Sequence, residues 1–185
     1  ADDFSGRSVS AAGDVNGDGL ADLIVGAQYS DDGEAGGRSY VVFGRTEVTE
    51  DIELATLAAD NRGFVIKGEV NGDRSGYSVS AAGDVNGDGL ADLIVGARYH
   101  DFPYASAGRS YVVYGRTETT DINLADIEEG DDGFVITGEL LDDQSGLSVS
   151  AAGDVNGDGY ADLIIGAPRH DVNGDSNSGR SYVVF

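Results

Sequence analysis

The chain of 185 residues carries 34 acidic against 11 basic side chains, a net charge of −23. A polyanion would be repelled, which excludes nucleic acid as a partner. An anionic membrane surface is disfavoured on the same ground, and no apolar run approaches the roughly 18 residues of a membrane span. Cysteine is absent, which removes disulfides and thiol chemistry, and the length suits one domain or a piece of one.

Two further biases set expectations. Glycine is abundant at 29 without any triplet period, so it serves turns and close backbone approaches rather than a collagen helix. Aspartate outnumbers glutamate 25 to 9. Short carboxylates belong to turns and metal loops, so the skew favours cation ligands over a merely solvated acidic surface.

In chain order, SVSAAGDV at Ser8–Val15 alternates with period two and has small side chains, which predicts a strand in a crowded place. After the loop that follows, ADLIVGA at Ala21–Ala27 is apolar on both faces, as in a strand sandwiched between layers. GRSYVVF at Gly37–Phe43 and GFVIKGE at Gly63–Glu69 are rich in β-branched and aromatic residues and begin with glycine, a strand signature. Between them, Asp51–Ala59 (DIELATLAA) predicts one short helical turn.

The same unit then returns. SVSAAGDVNGDGLADLIVGA runs from Ser8 to Ala27 and again, unchanged, from Ser78 to Ala97. A third copy, Ser148 to Ala167, differs only at Tyr160 and Ile165, and the period is 70 residues both times. GRSYVV also occurs three times, and GFVIxGE twice.

Units of four antiparallel strands repeated at long period predict an all-β fold of β-propeller blades. A parallel β-helix would need shorter coils, and a sandwich would not need near-identical repeats. Residues 1–70 form blade one, 71–140 blade two and 141–185 blade three, the last without its outer strand, so that eleven strands are expected. Three blades do not close a ring of the usual four to eight. Either the chain is part of a longer ring, or copies associate head to tail, two of them giving six blades.

The loop joining the first two strands holds the chemistry. Asp14, Asn16, Asp18, the Leu20 carbonyl and Asp22 fall at positions 1, 3, 5, 7 and 9. The set returns as Asp84, Asn86, Asp88, Leu90 and Asp92, and as Asp154, Asn156, Asp158, Tyr160 and Asp162. An all-oxygen donor set of this size suits Ca²⁺, one ion per loop. Gly19 at position 6 permits a sharp turn, and Gly17 is read as removing bulk beside the ion. An EF-hand would need a bidentate Glu at position 12, where Val25, Val95 and Ile165 stand inside apolar strands. Two other readings stand beside calcium: metal-free turns in which Asx side chains bond their own backbone, and a catalytic metal with open positions. Three ions are expected; Asp171, Asn173 and Asp175 form a weaker fourth candidate, since DVNGDSN lacks the glycine and the ninth-position Asp.

With these blocks in view, the sequence resembles the FG-GAP repeats of integrin α-subunit propellers and of large bacterial surface proteins. DVNGDGxxDLIxGA carries the resemblance, with GAQ, GAR and GAP where that family has its GAP. Phe4, Arg74-Ser75-Gly76 and Gln144-Ser145-Gly146 take the FG place and none reads FG. The resemblance covers essentially the whole chain. It implies a calcium-stabilised propeller, commonly seven-bladed, used for adhesion or as an interaction platform.

The function expected is therefore a non-enzymatic, extracellular or cell-surface calcium-binding module that contacts protein or glycan through its rim loops. These are Gln28–Gly36, Arg98–Ala107 and Pro168–Ser178, where the units differ most. The alternatives are an accessory propeller of a larger secreted hydrolase and a self-assembling structural unit. His100 and His170 stand 70 apart before Asp101 and Asp171, with no nucleophile at fixed spacing, and repetition alone accounts for them. Arg38, Arg109 and Arg180 are expected to pair with neighbouring acids.

Overall fold

The computed structural model describes residues 3–29, 36–47, 51–129, 132–172 and 175–185. Among these, regular structure is β with two short 3-10 turns. The first sheet contains β1 (Ser8–Gly13), β2 (Asp22–Ala27), β3 (Arg38–Val42) and β4 (Gly63–Lys67), each antiparallel to the next. The second repeats this with β5 (Ser78–Gly83), β6 (Asp92–Ala97), β7 (Arg109–Val113) and β9 (Gly133–Thr137). The third holds β10 (Ser148–Gly153), β11 (Asp162–Ala167) and β12 (Arg180–Val184). The inner strands β1, β5 and β10 lie side by side, so the three sheets are consecutive blades of an open propeller.

One strand was not expected. Ile122–Asn123 (β8), between the third and fourth strands of blade two, crosses over and pairs in parallel with β4 of blade one at Ile66 and Lys67. The described residues thus hold twelve strands rather than eleven, five of them in the first sheet. Asp121 fixes this strap: one of its oxygens accepts the Val65 N–H at 3.2 Å and the other pairs with Lys67 Nζ at 2.8 Å. A two-residue strand lies below the reach of any periodicity argument. The helical turn expected in Asp51–Ala59 is present at Leu54–Thr56, with a counterpart at Leu124–Glu129.

The core lies between blades. On one side of the first interface are Ile24, Val41, Phe43, Phe64 and Ile66. Leu93, Val95, Tyr111, Ile122 and Ile127 meet them from the second blade. Ile94 and Val112 face the other way, onto Leu163 and Ile165 of blade three. The middle sheet has a neighbouring blade on each face, and every residue of β6 is buried. The outer face of blade one is covered in part by its own 3-10 turn region, where Ile52, Leu54 and Leu57 pack on Val25, Ala27, Tyr40 and Val42. The apolar run that predicts a sandwiched strand is therefore fully satisfied in blade two. Leu23 is 54 % exposed, while its equivalents Leu93 and Leu163 are at 0 % and 1 %.

Blades approach closely enough to demand glycine. A Cβ on Gly26 would stand 2.1 Å from the Gly76 carbonyl oxygen of the next blade, and one on Gly96 equally close to that of Gly146. Both glycines stand near the ends of second strands, β2 and β6, where the backbone of the next blade comes against them.

Candidate metal centre

The β1–β2 loop opens at a register shift between Ala11 and Gly13, after which the chain leaves the sheet carrying Asp14. Asp14 then organises the turn. Its Oδ1 accepts the N–H groups of Gly17 at 2.8 Å and Asp18 at 3.0 Å, and its Oδ2 accepts that of Gly19 at 2.8 Å. Asn16 Oδ1 takes the Asp18 N–H, Asn16 Nδ2 donates to Asp18 Oδ2, and Asp18 Oδ1 takes the Leu20 N–H. Loops two and three repeat this pattern bond for bond, with Asp84 and Asp154 in the organising place.

The ninth-position aspartate does different work. Asp22 is fully buried, its Oδ2 accepting the Val15 N–H at 2.8 Å and its Oδ1 that of Gly44, past β3, at 2.7 Å. It joins the start of the loop, the start of β2 and the end of β3. Asp92 does the same through Val85 and Gly115. Asp162 holds Val155, while its buried Oδ1 has no hydrogen-bond partner among the described residues. Burial pushes the Asp22 and Asp92 carboxyls above the usual carboxylate range. Their backbone hydrogen bonds work against this, and the first- and fifth-position aspartates add to it by repulsion. The exposed Asp158 is drawn the other way by the Tyr160 N–H and by Asn156.

The loops also tie blades together. The Asp14 carbonyl accepts the Ala91 N–H of the next blade's loop at 2.9 Å, and the Asp84 carbonyl that of Ala161 at 3.1 Å. Gly17 also meets a demand from the next blade. Its φ of +76° requires glycine, and a Cβ there would meet Leu90 of the neighbouring loop at 2.9 Å. The bulk it removes would fall against the next blade.

Each loop therefore gathers the predicted oxygen donors into one turn, with their carboxylates aimed at backbone N–H groups. Among the described residues no three His, Asp or Glu side chains are close enough together to hold a metal as they stand. The donor chemistry nonetheless fits a hard cation. The loop carboxylates Asp14, Asp18, Asp22 and their six equivalents form no ion pair with any described residue. Their mutual repulsion is already felt at Asp22 and Asp92, and lone pairs remain on each carboxylate.

At the fourth predicted site, Asn173 lies outside the described residues. Asp171 Oδ1 caps the Asn177 N–H at 2.7 Å, and Val172 and Asp175 exchange backbone hydrogen bonds.

The FG-GAP repeat matches residues 5–42, 75–113 and 145–184, one match per blade. The chain belongs to the FG-GAP repeat family. It is 30 % identical over 160 residues to integrin alpha-7 of Mus musculus, covering 85 % of this chain and 12 % of that protein. Against integrin alpha-5 of Xenopus laevis it is 31 % identical over 170 residues, 89 % of this chain and 15 % of that one. Against integrin alpha-PS2 of Drosophila melanogaster it is 34 % identical over 167 residues, 87 % and 11 % respectively. The chain thus spans about an eighth of the length of these curated relatives.

Other predicted residues of this FG-GAP chain fall into place at the opposite end of the sheets. His100 Nδ1 lies 2.7 Å from Asp73 Oδ2, and His170 Nδ1 lies 2.9 Å from Asp143 Oδ2, all four side chains being buried. Arg109 pairs with Glu69 at 3.0 Å and Arg180 with Glu139 at 2.8 Å, as expected of them. The aspartate partners were missed, although Asp and His recur 27 residues apart in two successive units. Of the rim loop Gln28–Gly36, residues 30–35 lie outside the described residues.

Proposed function

We propose that this chain is a non-enzymatic, calcium-binding propeller module of an extracellular or cell-surface protein, serving adhesion or other contact with a macromolecular partner. The observation that carries the calcium reading is the set of nine loop carboxylates, three in each loop, without a cationic partner among the described residues. Asp14, Asn16, Asp18, the Leu20 carbonyl and Asp22 would hold the ion in the first loop. Asp84, Asn86, Asp88, Leu90 and Asp92, then Asp154, Asn156, Asp158, Tyr160 and Asp162, would hold it in the other two. When bound, Ca²⁺ supplies charge neutralisation and an oxygen-lined crosslink. Three ions change the net charge from −23 to −17 (−23 + 6).

The chain's own part is to present these donors from a turn already closed by backbone hydrogen bonds. Because Asp22 and Asp92 anchor two strands and the loop at once, drawing them toward an ion would tension the whole blade edge. Millimolar affinity suffices in an extracellular setting. The resemblance to integrin α propellers supports the contact role and the cell-surface setting, and nothing in the loops resembles a nucleophile–base pair. Calorimetric titration with CaCl₂ tests the reading. About three ions per chain are expected, falling by one in each of Asp18→Asn, Asp88→Asn and Asp158→Asn. No heat of binding up to several millimolar would overturn it.

A further inference from the structure

At the end of the sheets opposite the aspartate loops, blades one and two share a continuous stack of alternating guanidinium and aromatic groups. Arg7 lies 4.8 Å from the Tyr77 ring, and Arg98 sits between Tyr77 at 3.9 Å and Tyr99 at 4.4 Å. Arg74 sits between Tyr99 at 4.5 Å and Tyr29 at 4.8 Å, and Phe4 closes the row against Tyr29 at 5.1 Å. Arg7 Nη2 donates to the Tyr77 hydroxyl. None of the three arginines forms an ion pair with a described residue, and the buried Nε of Arg98 has no hydrogen-bond partner. Phe4, Arg7 and Tyr29 are exposed and the remainder half-buried.

The fold does not require this row. Phe4, Arg74 and Gln144 hold the same turn in successive blades, with φ of 52°, 55° and 53°, yet carry three unrelated side chains. At the junction of blades two and three, the places of Arg7, Tyr77, Arg98 and Tyr99 are taken by Tyr77, Leu147, Pro168 and Arg169. There Arg169 goes to Asp142 at 3.1 Å. In a chain built of three copies of one unit, three arginines without an ion pair among the described residues sit at one junction within a net charge of −23.

We propose that this stack is a docking surface for a short acidic segment of a protein partner. A guanidinium laid flat on a ring still offers its N–H groups edge-on, in the fork that matches a carboxylate. Exposed Phe4 and Tyr29 supply the apolar, low-entropy contact typical of Tyr- and Arg-rich hot spots. One or two carboxylates would meet only the stack. An extended polyanion, such as a sulfated glycan, would bring its remaining charges against the acidic surface around it. The assignment deepens the contact role proposed above and rests on it, but is independent of calcium.

The test is fluorescence anisotropy of a labelled dodecapeptide with two Glu residues in a Ser/Tyr background, beside its Gln isostere and heparin, all in calcium. The Glu peptide is expected to bind, the Gln peptide at least tenfold more weakly, with affinity falling as salt rises. Arg98→Gln and Arg74→Gln should each weaken the Glu peptide about tenfold, and Arg180→Gln in blade three should not. If Arg98→Gln melts early, the exposed Arg7→Gln and the charge-preserving Arg98→Lys carry the test, each expected to weaken binding several-fold. No binding of the Glu peptide at millimolar concentration, equal binding of the two peptides, or heparin binding that outcompetes the peptide and depends on Arg98 would each overturn the assignment. Calcium titration of the same samples separates the two readings. Calcium bound without peptide sinks the stack alone, whereas absent calcium binding sinks the module proposed above.

Discussion

At one end of the three sheets, Asp14–Asp22, Asp84–Asp92 and Asp154–Asp162 are the same nine residues but for Tyr160. At the other end, the loops entered after Ala27, Ala97 and Ala167 diverge, keeping few residues in common, among them Tyr29 with Tyr99, His100 with His170 and the aspartate that follows. In the first set, the turn around the first-position aspartate is bonded identically in every blade, and each of the first two loops accepts a hydrogen bond from the loop of the next blade. The second holds unlike groups on like backbone turns, from the arginine–tyrosine row to the Arg169–Asp142 pair. Repetition marks what every blade needs in order to fold, and divergence marks what one place on the surface can offer a partner.

The largest effect should come from breaking the repeated end. If each loop binds calcium at a hundredfold excess over its dissociation constant, each contributes about 2.7 kcal/mol, so three loops contribute about 8 kcal/mol. For a chain of this size that is on the order of 15 °C or more in melting temperature. Thermal melts in millimolar CaCl₂ and in EDTA measure it. An unchanged curve would mean that the loops stand on their Asx hydrogen bonds alone, while arginine variants of the divergent end should leave the calcium dependence intact.

How much of this was legible follows from the same contrast. The blades, their order and the donor set could be read because they recur at a fixed period of 70, which separates pattern from accident. The strap at Ile122–Asn123 could not, because two residues make no period and its partner strand is in another blade. Nor could Gly17's contact with Leu90 or the Gly44 bond to Asp22, since both depend on how blades and strand ends meet in space. The arginine–tyrosine row draws on seven residues, of which Phe4 and Arg74, Arg7 and Tyr77, and Tyr29 and Tyr99 stand 70 apart, so the period gives their places in the blades but not that they stack on one another.

A second comparison runs across the blades rather than along them, and a core substitution sharpens it. Leu93 is fully buried between blades one and two, while Leu23, at the same place in an identical 20-residue block, is half exposed. Leu93→Ala should cost about 2–5 kcal/mol and Leu23→Ala less than about 1 kcal/mol, read by urea denaturation. Equal losses would mean that the outer face of blade one is covered in solution, and so would identify an interface there.

The smallest of these differences concerns backbone contact alone. At Gly96 an added methyl would press on the Gly146 carbonyl at 2.1 Å, an oxygen fixed in the turn between blades. At Gly166, in the identical place of blade three, it would meet only the Ser148 hydroxyl at 2.4 Å, which can rotate away. Gly96→Ala should therefore cost about 1–3 kcal/mol, the usual penalty of an overfilled interior, and Gly166→Ala a few tenths. The asymmetry depends on one blade having a neighbour where the other has open space. A Gly166→Ala loss as large as that of Gly96→Ala, appearing only at high protein concentration, would show blade three packed against another copy.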